Sequence, residues 1–123
     1  METTKYTKTI LEVIRECGIP ANILGHDYLY AAMELTLKDP MYKRCITKML
    51  YPTIAQEYNT TPSRVERDIR HAIEVCFTRS DPEVVAKIFG NTMNLKSGKL
   101  SNAEMICTLD EYVKMECGEF DIK

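Results

Sequence analysis

No stretch of this sequence comes near 18 consecutive apolar residues, and its opening, METTKYTK, lacks the apolar run and small-residue cleavage site of a secretory signal. These absences argue against a membrane span and for a cytoplasmic protein. No C-x-x-C pair occurs either. The five cysteines, Cys17, Cys45, Cys76, Cys107 and Cys117, are odd in number and widely spaced, which reads as reduced thiols on helix faces. Histidine is scarce, with His26 and His71 alone, and zinc wants four ligands with a close pair to start the site. No metal and no cofactor are expected. A glycine-rich phosphate loop and a nucleophile, base and orienter set are also missing. His71 and Glu74 share a metal-carboxylate spacing of i, i+3, but no second pair completes such a site, so no catalytic residue is assigned.

What is present is ordinary for a soluble globular chain: 123 residues, 45% apolar and 28% charged. A chain of this length forms one domain, residues 1–123, and buries roughly two-thirds of its unfolded surface without needing a disulfide. The formal net charge of -2 hides an asymmetry. From Lys38 to Arg79 eight Lys or Arg face five Asp or Glu, a local balance of +3, while the C-terminal tail is acidic. That middle permits an anionic partner without requiring one.

Apolar residues recur at helical spacing, and no strand-like alternation lasts, so the fold class is all-α. Tyr6, Ile10, Val13, Ile14 and Cys17 form a first stripe, stopped by Gly18 and Ile19-Pro20. Leu29, Ala32, Met33 and Leu37 form a second, ended by Asp39-Pro40. Tyr42, Cys45, Ile46, Met49 and Leu50 form a third, with Pro52 best placed in the first turn of a new helix. Ser80-Asp81-Pro82-Glu83 starts a further helix whose Val84, Val85, Ile88 and Phe89 face inward. Gly90 to Leu100 reads as a loop, and Ser101-x-x-Glu104 as a capping box for a last helix anchored by Ile106, Leu109 and Val113.

The centre carries the functional signal. Pro52 to Tyr58 reads as a short helix with Ile54, Ala55 and Tyr58 inward, followed by Asn59, which tolerates a left-handed turn. Thr61 can cap and Pro62 can start the next helix, with Ser63-x-x-Glu66 as an overlapping capping box. Two helices across so short a turn make a helix-turn-helix. At roughly 100° per residue, Val65, Ile69, Ala72 and Cys76 share one stripe of the second helix, and Ser63, Arg67, Arg70 and Glu74 lie opposite. An outward arginine can fork onto guanine in the major groove, and Glu66 can accept from a cytosine amino group. Asp68 flanks the core stripe, close enough to neutralise part of the arginine field.

The stretch YPTIAQEYNTTPSRVERDIRHAIEV resembles the C-terminal effector domain of stage 0 sporulation protein A, a regulator of spore formation, nearly residue for residue. GIPANILGHDYLYAA, IFGNT and SNAEMI extend the resemblance over nearly the whole chain. It implies a bundle of about six helices that binds an operator box containing TGTCGAA. It further implies base contacts by Glu66, Arg67 and Arg70, and backbone contacts by Ser63, Arg64 and His71. The segment Ser80 to Met93 would approach the RNA polymerase sigma factor, through Val84, Val85, Ile88 and Phe89. A monomer is expected in solution, with dimerisation on DNA left open. The sequence departs from the family where members usually carry a small residue at Asp68, tryptophan at Phe77, and tyrosine and arginine around His26 and Tyr30. The family's phosphorylated receiver domain has no counterpart in these residues. The competing reading is an interaction paralogue that has lost DNA affinity, through Asp68, and engages the sigma factor or a full-length regulator instead.

Overall fold

The computed structural model describes residues 6–90 and 100–118. Seven α-helices follow one another among them: α1 (Thr7–Glu16), α2 (Leu24–Lys38), α3 (Met41–Arg44), α4 (Tyr51–Glu57), α5 (Pro62–Arg79), α6 (Pro82–Phe89) and α7 (Asn102–Glu116). No strand occurs among the described residues, so the protein is all-α as its periodicity predicts.

Each boundary has a local cause. Gly18, at φ 75°, closes α1: its N–H donates to Arg15 O and that of Ile19 to Ile14 O, a paired ending that lets Ile19 fold back onto the core. Asp81 caps α6 by accepting from Glu83 N at 2.8 Å, with Pro82 in the first turn. The capping box of α7 is complete. Ser101 accepts from Glu104 N at 3.1 Å, and Glu104 accepts from Ser101 N at 2.9 Å. Most of the loop expected from Gly90 to Leu100 lies outside the described residues.

The third apolar stripe does not make one helix. After α3 the backbone leaves helical geometry at Cys45, and Ile46–Leu50 winds as a π-helical turn that runs straight into α4. Pro52 accounts for this: it has no N–H for the ladder, and its ring would press on the carbonyl four residues back in a tighter helix. The looser turn makes room, and Thr53 Oγ1 donates to Met49 O at 2.7 Å.

A single cluster of buried side chains draws on every described helix except the four-residue α3. α2 and α5 lie at its centre, α4 packs on α5, and α7 packs on α1, α2 and α5. The α2–α5 crossing is unusually close. A Cβ added at Gly25 would stand 2.3 Å from Asp68 O and 2.7 Å from Ala72 Cβ, so only glycine fits there. The expected core residues of the first, second and last stripes are buried, Tyr6 and Leu37 partly so. Tyr58 is a partial exception: it is 37% exposed and meets Tyr28 edge-on, with ring centroids 5.3 Å apart.

Candidate nucleic-acid interface

α4 and α5 are joined by Tyr58–Thr61, and the join is built from the residues the sequence singles out. Asn59 takes φ 55°. Its N–H reaches Gln56 O, and the Thr60 N–H reaches Ala55 O at 2.8 Å, so the last carbonyls of α4 are satisfied inside the turn. Thr61, extended at φ -112°, accepts from Arg64 N at 3.2 Å, and Pro62 opens α5. Because Thr61 takes the cap, the alternative box from Ser63 to Glu66 does not form. The Glu66 carboxylate turns to Arg70 instead.

The two faces of α5 separate cleanly. Val65, Ile69, Ala72 and Cys76 are fully buried. Ser63, Arg64, Arg67, Arg70, His71 and Glu74 are exposed. Arg70 Nη1 donates to Glu66 Oε2 at 3.0 Å across one helical turn, with the two side chains 56% and 37% exposed. Arg67 Nε lies 3.9 Å from Asp68 Oδ1, so Asp68 does stand beside an outward arginine. No ion pair holds Arg64 among the described residues. Arg67, Asp68, Arg70, His71 and Glu74 together line one shallow depression.

Such exposed pairs are worth little, roughly 0.3–0.5 kcal/mol at this helical spacing. An incoming acceptor such as a phosphate or a guanine edge can displace the carboxylate with little loss. The chemistry of the face is therefore that of a row of guanidinium forks on a rigid rod, held at one end by a left-handed turn and a cap. Among the described residues no three His, Cys, Asp or Glu side chains gather to hold a metal ion. None of the described helices is long and apolar enough to cross a membrane.

On the other side of Glu66 the surface dips into a groove lined by Tyr51, Ile73, Phe77, Leu100 and Asn102. Asn102, the first residue of α7, donates from Nδ2 to Tyr51 Oη and to the main-chain oxygen of Glu66, both at 3.0 Å. Burial, with the nearby Glu66 charge, pushes the Tyr51 hydroxyl above its ordinary pKa, so it stays protonated at neutral pH. Sequence reasoning missed Asn102 and Tyr51. Their separations of 36 and 51 residues from Asn102 to its partners leave no local spacing to read.

The proposed sigma-factor residues divide. Val84 and Val85 are half-buried against the core, while Ile88 and Phe89 belong to it, Phe89 stacking at a tilt on Phe77 with centroids 5.5 Å apart. Asn91 and Thr92 of IFGNT lie outside the described residues.

A family model described as sporulation initiation factor Spo0A C terminal matches residues 10–113. The match begins at Ile10, the first buried residue of α1, and ends at Val113, the last buried residue of α7, so it takes in the whole described core. The chain belongs to the family of the sporulation initiation factor Spo0A C-terminal domain, the DNA-binding effector domain of a transcription regulator.

Proposed function

We propose that this domain binds double-stranded DNA in a sequence-specific way, with α4, the Asn59 turn and α5 acting as a helix-turn-helix and α5 entering the major groove. One observation carries the reading: Arg67 and Arg70 project from the face opposite the core and, among the described residues, pair only with carboxylates of their own helix. Arg67, Arg70 and Glu66 read base edges, the arginines as donors to guanine O6 and N7 and Glu66 as an acceptor from cytosine. Ser63, Arg64 and His71 hold the phosphate backbone and fix the register. The target is an operator box containing TGTCGAA, bound in the cytoplasm by a monomer that meets a second copy only on paired half-sites.

The same reading gives α6 a contact with the RNA polymerase sigma factor. Val84 and Val85, half-buried, meet the partner; Ile88 and Phe89, buried, hold α6 in place against α5 and α7. A pull-down of sigma factor by wild type and Val84→Asp checks it, with loss of capture and unchanged DNA binding expected from the variant.

Fluorescence anisotropy on a TGTCGAA duplex and a scrambled one, each at two salt concentrations, tests the DNA reading. A preference for the matched duplex that survives added salt is the expected result, since counterion release acts on both duplexes alike. Equal affinity would favour the second reading, an interaction paralogue that engages the sigma factor or a full-length regulator. Its specific support is the placement of Asp68 beside Arg67 and of Glu66 on Arg70.

A further inference from the structure

α5 is joined to α4 through a turn, but a second element holds the part of it that carries the proposed base-reading side chains. Asn102 lies at the first position of α7, directly after Ser101, whose reciprocal bonds with Glu104 fix the helix start. From there its side-chain amide spends both hydrogens on two other helices. One goes to Tyr51 Oη, on the first residue of α4, and one to the carbonyl oxygen of Glu66 in α5. The Glu66 carbonyl is also the one that residue 70 addresses in a regular helix, so the clamp acts on the peptide turn linking Glu66 to Arg70.

We propose that Asn102 is a positioning residue for DNA readout, which sets the seat of the Glu66–Arg70 turn of α5 against α4 and so the reach of those side chains into the groove. The inference rests on the DNA-binding reading above. Asn102 touches no base in this account; it acts through the backbone of α5. The geometry suits the task. A carbonyl oxygen has two lone pairs, one for the helical N–H and one for the amide, and Tyr51, 6% exposed, is itself held in the core. A hydrogen bond in place of a purely apolar contact gives the contact a direction, and a base-reading fork loses its paired geometry when displaced by about 1 Å.

The test compares Asn102→Asp, Asn102→Ala and Tyr51→Phe with wild type by anisotropy on the matched and scrambled duplexes, alongside thermal unfolding. Asn102→Asp keeps the size and suits the positive start of α7, yet it sets a carboxylate oxygen against the Glu66 carbonyl. Its added charge weakens both duplexes alike and cancels in the ratio of affinities. Both Asn102 variants should lower the matched-to-scrambled ratio by roughly tenfold, and Tyr51→Phe, which leaves the Glu66 bond in place, by about threefold or less. Hydrogen exchange at the Arg70 amide should quicken in both Asn102 variants without DNA. A wild-type ratio retained in folded Asn102→Ala overturns the positioning role alone. A wild type that itself shows no preference overturns the DNA reading, and this inference with it.

Discussion

Two carboxylates in this domain hold cations at nearly the same distance and do opposite things. Glu66 meets Arg70 at 3.0 Å on the outer face of α5, with more than a third of each side chain in solvent. Asp110 meets Lys43 at 3.1 Å and Lys114 at 3.3 Å, but Asp110 is fully buried, and its Oδ2 has no hydrogen-bond partner among the described residues. Distance alone does not distinguish them; solvent does. Water screens the first pair and stands ready to replace either member, so its breaking costs a few tenths of a kcal/mol. The second was assembled against a large desolvation cost, and removing one member leaves charge stranded in the interior. On the proposed reading the exposed pair is a reserve of donors for DNA, and the buried cluster is a joint between α3 and α7.

The sharpest way to break the contrast is at the joint. Asp110→Ala should lower unfolding free energy by about 3 kcal/mol in urea titration while leaving DNA preference intact at temperatures where the domain is folded. Gly25→Ala comes next, because the new methyl would drive α2 off the backbone of α5. A loss of about 2 kcal/mol is expected, and unlike Asp110→Ala it should also blunt duplex discrimination. At the exposed face, Arg70→Ala should cost roughly 1–3 kcal/mol of binding to the matched duplex and less than about 0.5 kcal/mol of stability. Arg64→Ala should weaken matched and scrambled duplexes alike and reduce the salt slope by about one unit.

The smallest effect concerns pH. Burial alone would depress the Lys43 ammonium, but the hydrogen bond and charge of Asp110 outweigh it and hold the pKa above its ordinary value. A raised pKa stabilises the fold fully below the unfolded value, near 10.4 for lysine, and that share is lost as pH climbs through the folded value. The gap in urea midpoint between wild type and Lys43→Met should therefore be constant from pH 7 to about 9 and shrink at about pH 11.

How much of this could be read from the chain follows from how far apart the interacting residues lie. The turn at Asn59, the caps at Thr61, Asp81 and Ser101, and the two faces of α5 depend on neighbours within a few positions, and all were legible. The π-helical turn was not: Pro52 announces a break, but a helix start there and a widened turn before it satisfy the same missing N–H. The helical phase of Tyr58 predicts an interior position, yet it sits at the end of α4, where the interior ends. Val84, Val85, Ile88 and Phe89 share one pattern in the sequence, where a core stripe and a proposed partner surface look alike until burial separates the last two. Asp110 lies between Leu109 and Val113 in a helix pattern that gives no hint that Lys43, 67 residues away, will cover it.

The contact at Gly25 bears on how such domains diversify. At Gly25, α2 comes directly against the Asp68 carbonyl and the Ala72 methyl of α5, so this part of the crossing is set by backbone and small groups. Arg67 and Arg70 stand on the exposed face of the helix, away from that contact. On the proposed DNA-binding reading, a lineage can acquire a new operator by exchanging outward residues one at a time, while the α2–α5 seat stays as it was.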